Sequence, residues 1–206
     1  MKVKVKICGV KTLEAAQASI NAGADFLGFN FVPTSKRLMS NGIAKQIIDE
    51  LPKTIAKVGV FMDADILEIH KLINYLKLDY VQLHGNESPK YVSSVQGAGI
   101  IKTISLPIEF DVEKTKQKMK KYQVDYFLLD REEQGRGKML DLDMVKELTS
   151  AFPIILAGGL TVENVSQTVK LAHPQVVDVA GGVEANGAKD KERITEFIKN
   201  AKLYDI

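Results

Sequence analysis

A chain of 206 residues, 45% hydrophobic and 26% charged, has the length of one large domain rather than several. Its 28 Lys and Arg against 26 Asp and Glu leave a net charge of +2, too weak to make nucleic acid or a membrane surface the main partner. One cysteine excludes a disulfide framework and a cysteine-based zinc site, and no apolar run reaches the ~18–20 residues of a membrane span. The N-terminus runs straight into an alternating strand without a signal segment, so the expected compartment is the cytoplasm.

In chain order, VKVKIC (3–8) alternates lysine with valine and ends on Cys8, before a glycine. LEAAQASINA (13–22) carries the three- and four-residue apolar spacing of a helix. DFLGFNF (25–31) is the second strand, and the loop after it, PTSKR, ends on Arg37. IAKVGVF (55–61) precedes the helical ADILEIHKLINYL (64–76), and LDYVQLH (78–84) ends on His84. GIIKTI (99–104) leads to EFDVEKTKQKMKKY (109–122), whose lysine-rich run reads as a solvated helix face. DYFLLD (125–130) ends on Asp130, and PIILAG (153–158) enters a Gly158-Gly159 turn and a helix beginning near Thr161. QVVDVA (175–180) enters a second turn, Gly181-Gly182, before AKDKERITEFIKNAK (188–202).

Each strand is followed by a helix or by room for one, giving eight units of about 26 residues. A doubly wound open sheet also alternates, but eight even units without Gly-x-Gly-x-x-Gly after the first strand favour closure. The expected fold is a (β/α)8 TIM barrel forming a single domain over residues 1–206. Active sites of such barrels gather at the C-terminal strand ends, where the chain offers Cys8, Arg37, His84, Asp130 and both Gly-Gly turns.

Strand parity decides which of these point inward. Val3, Val5 and Ile7 share one face and suit the helices, which turns Lys6 and Cys8 into the barrel. The same rule groups Gln82 with His84, Tyr126 and Leu128 with Asp130, and Val176 and Asp178 with Ala180. An inward charge needs a partner. The first and eighth strands meet on closure, so Lys6 is expected to pair with Asp178. Backbone amides exposed in consecutive glycine turns suit a phosphate. A bland alternative accompanies each residue: Cys8 as an inert buried thiol, Asp130 as a helix cap, Arg37 as a solvated loop residue, His84 as a satisfied core residue.

The ordered series KICG, GFNFVPTSKR, VGVF, QLHGNE, LLD, LAGGL and VDVAGGVE with GAKD resembles the phosphoribosylanthranilate isomerase family across essentially the whole chain. The resemblance implies a metal- and cofactor-independent Amadori rearrangement in tryptophan synthesis. It implies Cys8 as general base, Asp130 as general acid and Arg37 as holder of the anthranilate carboxylate. Gly158, Gly159, Gly181 and Gly182 are then expected to take the phosphate, with His84 also at the substrate. The implied partner is a small phosphorylated molecule, and the implied assembly a monomer or homodimer. Lys6, two residues before Cys8, is the expected cation favouring its thiolate. Related barrels of histidine synthesis use an aspartate at the end of the first strand, where this chain has Cys8. A barrel that binds a phosphorylated ligand without catalysis is the other alternative.

Two segments depart from the family pattern. The eighth-strand loop usually reads Ser-Ser-Gly and here is Ala180-Gly181-Gly182, leaving phosphate contacts to backbone amides. After the sixth strand the family usually has Gly-Thr-Gly, whereas QGRGKMLDL (134–142) has Arg136 in place of the threonine, and the chain has no tryptophan.

Overall fold

The computed structural model describes residues 2–132 and 139–204, so Arg136 and its neighbours at 134–138 lie outside the described residues. Eight parallel strands close into a barrel in chain order. They are β1 (Lys4–Cys8), β2 (Phe26–Asn30), β3 (Ala56–Phe61), β4 (Tyr80–Leu83), β5 (Gly99–Leu106), β6 (Tyr126–Arg131), β7 (Ile154–Leu156) and β8 (Val176–Val179). Closure between β1 and β8 sets Lys6 opposite Asp178. The helices are α1 (Leu13–Asn21), α2 (Asn41–Asp49), α3 (Ile66–Leu76), α4 (Pro89–Val92), α5 (Val112–Met119), α6 (Leu142–Thr149), α7 (Val165–Ala172) and α8 (Lys191–Ala201). The (β/α)8 architecture read from the sequence is therefore present. No helix of the described residues is long and apolar enough to cross a membrane.

Side-chain caps explain several boundaries. Thr12, Asp65, Asp111 and Asp190 each accept amide hydrogen bonds from the first turn that follows them, fixing the starts of α1, α3, α5 and α8. Two starts differ from the sequence reading. The helix after β7 begins at Val165 rather than near Thr161, because Asn164 folds back, accepting from the Thr161 amide and donating to the Gly159 carbonyl. The last helix begins at Lys191 rather than 188, because Ala188 and Lys189 form β10 of a small antiparallel ribbon with β9 (Glu184–Ala185).

Side chains alternate between the helices and the barrel interior along the strands. Val3, Val5 and Ile7 are buried against the helices together with Ile194, Phe197 and Ile198 of α8. Inside the barrel, Phe26, Val58, Ile101, Leu128, Ile155 and Val176 pack as one apolar layer, with Tyr80 and Tyr126 against it. Two residues further along the same inward faces, toward the C-terminal mouth, β5, β6 and β8 carry the polar Thr103, Asp130 and Asp178, whereas β2, β3 and β7 carry Gly28, Val60 and Ala157.

Candidate active site

Lys6 is fully buried, and its Nζ donates to Asp178 Oδ1 at 2.9 Å. The expected pair is thus formed, one step below Cys8. Cys8 is 8% exposed and packs against Val32 and Val60 beneath the mouth. Burial pushes its thiol above the usual range, and the Asp178 charge adds to this, while Lys6 and Lys189 pull it down. Lys6 therefore acts in the direction expected of it but does not prevail. Its charge is largely spent on Asp178, and desolvation wins.

Asp130, at the end of β6, is also raised by burial, opposed by the His84 charge and by the Arg131 amide, which donates to Oδ1 at 2.8 Å. A carboxyl so placed retains its proton to higher pH than an exposed one. His84 Nε2 lies 3.6 Å from Asp130 Oδ2. Burial lowers the His84 pKa against the attraction of Asp130, so the neutral ring is favoured. Its Nδ1 sits 3.0 Å from Gln82 Nε2 and 3.2 Å from Thr103 Oγ1. An amide N–H donated to Nδ1 leaves the ring proton on Nε2, the nitrogen nearest Asp130.

The stem below His84 is braced by groups that sequence reasoning passed over. Lys102 Nζ donates to the Leu83 and Gly85 carbonyls at 3.3 and 2.7 Å and to Glu87 Oε2 at 2.7 Å. Glu87 in turn accepts from the amides of Gly85 and Asp63. Both main-chain neighbours of His84 are therefore pinned.

A cavity of about 450 Å³ at the mouth is lined by Cys8, His84, Asp130, Asp178 and Arg37 among others. A second, of about 410 Å³, shares Arg37, Asp130, Asp178 and Ala180 with it and reaches Gly158, Gly159, Gly181 and Gly182. Every site residue singled out in the sequence thus lines one continuous pair of clefts. Gly158 and Gly159 have φ of +82° and +92°, a left-handed conformation that ends β7 and turns the chain across the mouth. At Gly182 a Cβ would collide with the Leu160 carbonyl oxygen, so the β7 and β8 loops touch backbone to backbone.

Arg37 is the residue whose setting the sequence did not foretell. It reaches the mouth as expected, but its guanidinium is forked onto Glu184, Nε to Oε1 at 2.7 Å and Nη2 to Oε2 at 2.8 Å. Glu184 and its neighbour Lys189 were missed because two-residue strands leave no periodicity to read. The only available signal was the acid–base spacing in VEANGAKD.

Comparison with known proteins places this arrangement. A family model described as N-(5'phosphoribosyl)anthranilate (PRA) isomerase matches residues 5–200. The N-(5'-phosphoribosyl)anthranilate isomerase of Oceanobacillus iheyensis is 39% identical over 202 residues, covering 98% of each chain. The crystal structure of phosphoribosyl anthranilate isomerase from Thermotoga maritima superposes with a TM-score of 0.89 at 38% identity, over 97% of this chain and 98% of that one. A phosphoribosyl anthranilate isomerase in complex with reduced 1-(o-carboxyphenylamino)-1-deoxyribulose 5-phosphate gives 0.86 at 36% identity, over the same shares. Matched along nearly its whole length and in its barrel, the chain belongs to the N-(5'-phosphoribosyl)anthranilate isomerase family.

Proposed function

We propose that Asp130 and Cys8 are the general acid and general base of the Amadori rearrangement of N-(5-phosphoribosyl)anthranilate to 1-(o-carboxyphenylamino)-1-deoxyribulose 5-phosphate. The observation that carries this reading is the cleft lined by Cys8, Asp130 and Arg37, which shares Asp130 and Arg37 with the adjoining cleft that reaches the glycine loops. Asp130 gives its proton to the furanose ring oxygen, the ring opens, and a Schiff base forms at C1. The iminium acidifies the C2 proton, which the Cys8 thiolate removes. The resulting enolamine tautomerises to the ketone, and the proton taken from C2 is returned to solvent or to Asp130.

Burial raises both groups, with opposite consequences. It favours the protonated carboxyl that the first step needs and disfavours the thiolate that the second needs. Lys6 and Lys189 offset part of the second effect. Arg37 takes the substrate carboxylate, and the amides around Gly158, Gly159, Gly181 and Gly182 take the phosphate.

The test follows the loss of substrate fluorescence with phosphoribosylanthranilate generated in situ. Cys8→Ala and Asp130→Asn are each expected to lower kcat by about 10²–10⁴-fold with the fold intact by circular dichroism. Turnover retained by either folded variant removes that residue from its role.

A further inference from the structure

The Glu184–Arg37 fork continues beyond these two residues. Glu184 Oε1 also accepts from Lys189 Nζ at 3.0 Å, and the same Nζ donates to the Ala180 carbonyl at 2.8 Å. Glu184 and Lys189 are register partners across the β9–β10 ribbon. The ribbon's turn uses Asn186 and Gly187, both at positive φ. An unbroken run of charge-assisted hydrogen bonds therefore joins Ala180, at the root of the glycine loop, to the guanidinium of Arg37.

Position shows which way this run faces. Arg37 lines both mouth clefts and also a third cavity of about 500 Å³, and it is only this third cavity, which Cys8 and Asp130 do not line, that Glu184 and Lys189 line, with Lys11, Gly187 and Lys191. Glu184 thus grips Arg37 from the side away from Cys8 and Asp130. The Nε–Nη2 edge is used by that grip, and the Nη1 end is left to meet a ligand. The backbone is cut away to let the side chain lie there. A Cβ at Gly9, which has a φ of +74°, would collide with Arg37 Cδ, and one at Gly181 would sit 3.4 Å from Nη2. Burial raises the Glu184 carboxyl, yet hydrogen bonds from Arg37 and Lys189 and the Lys189 charge bring it down to about 2, so it stays charged throughout the working pH range.

We infer that Glu184 is a positioning residue which, with Lys189, holds the Arg37 guanidinium at a fixed distance from the glycine loop and so selects substrates carrying an anionic ring substituent at a matching distance from their phosphate. This rests on the reading that Arg37 takes the carboxylate and the glycine loops the phosphate. It adds a specificity element that acts through Arg37 without touching the substrate.

The experiment compares two substrates, N-(5-phosphoribosyl)anthranilate and the glycosylamine made from aniline and ribose 5-phosphate, which lacks the carboxylate. Turnover is followed by proton NMR in the unmodified protein, Arg37→Met, Glu184→Gln and Lys189→Met, each checked for folding by circular dichroism. Glu184→Gln is expected to raise KM for the carboxylated substrate about tenfold or more, with kcat little changed and the aniline compound unaffected. Lys189→Met is expected to raise the same KM more weakly and, because the Lys189 charge also favours the Cys8 thiolate, to lower kcat for both substrates alike; its KM for the carboxylated substrate relative to that for the aniline compound is the readout if Glu184→Gln folds poorly. An equal change in both KM values would make the ribbon merely structural and overturn the inference. A lower KM in Glu184→Gln would also overturn it, by showing that Glu184 competes with the substrate for Arg37. Arg37→Met variants that treat both substrates alike would instead remove the carboxylate assignment itself, and the inference with it.

Discussion

At the N-terminal end of the barrel, Phe26, Tyr80 and Tyr126 meet edge-on, with ring centroids 5.7, 6.1 and 6.3 Å apart. Further along the same inward faces of β4, β6 and β8 stand Gln82, Asp130 and Asp178, and on β1 the buried Lys6. The lower half stabilises through apolar burial and through aromatic pairs contributing about 0.5–1.5 kcal/mol each beyond their area. The upper half carries buried charges, which are costly unless paired. One set of strands supplies both, so a step of two or four residues along a strand moves a side chain from one regime to the other. What separates a stabilising position from a chemical one here is height in the barrel.

The largest effects are expected on β6, where Leu128 and Asp130 share a face two residues apart. Leu128→Ala is expected to cost about 2–5 kcal/mol of stability by leaving a cavity in the lower layer, while kcat of the folded fraction stays near that of the unmodified protein. Asp130→Asn is expected to do the reverse, with a urea midpoint close to the original and activity nearly gone. Urea unfolding and kcat measured on both variants check this. If Leu128→Ala lost kcat as Asp130→Asn does, height in the barrel would not divide the two functions.

Much of this division was legible in the sequence, because it depends on parity. Period-two alternation assigned Lys6, Cys8, Asp130 and Asp178 to inward faces, and closure between the first and last strands then forced the Lys6–Asp178 pair. Less legible were features built from single turns or from packing. Strand β5 runs on to Leu106 rather than 104, because Ser105 and Leu106 pair with Asp130 and Arg131, a register no local pattern announces. Helix α4 is one turn long, capped by Ser88 and opened by Pro89, too short for a 3.6-residue period. The fork of Glu184 on Arg37 joins residues 147 positions apart, and the ribbon that delivers it is two residues wide. The balance of forces on Cys8 was also hidden, since spacing identified the cation nearby and could not weigh it against desolvation.

Lys6 tests the upper half at its most buried point. Lys6→Met leaves the Asp178 carboxylate without its cation and is expected to cost about 3–5 kcal/mol, read from urea unfolding. Restoring an apolar match with Lys6→Met combined with Asp178→Leu is expected to recover much of that loss. The single variant also sharpens the chemistry. Lys6 lowers the Cys8 thiol pKa and Asp178 raises it, so removing the lysine alone moves the thiol up on both counts. In the kcat/KM profile, the acid limb follows the raised Asp130 and the alkaline limb follows Cys8, because the active form pairs the protonated acid with the thiolate. The alkaline limb of Lys6→Met is therefore expected to shift to higher pH, and the maximum to fall. An unmoved limb would separate Lys6 from the thiol and leave it a structural ion only.

The smallest effect expected is at Gly182, where the two glycine turns touch. Its φ is not in the left-handed region, so alanine there is conformationally allowed, and the obstacle is the Leu160 carbonyl oxygen that the new methyl would meet. Backbone atoms on both sides must move to admit it. Leu160 follows Gly158 and Gly159, which are held at positive φ, and a Cβ at Gly158 would already lie 3.1 Å from Asp130 Oδ1. Displacement is therefore resisted on the Asp130 side and is expected to be taken up by the β8 loop. Gly182→Ala is expected to cost about 1–3 kcal/mol, as overpacking does elsewhere, and to raise KM while changing kcat less. Inorganic phosphate as a competitive inhibitor gives the decisive reading. Its Ki should rise in step with KM if the amides of these loops hold the phosphate, and an unchanged Ki beside a raised KM would move the phosphate away from the glycine turns.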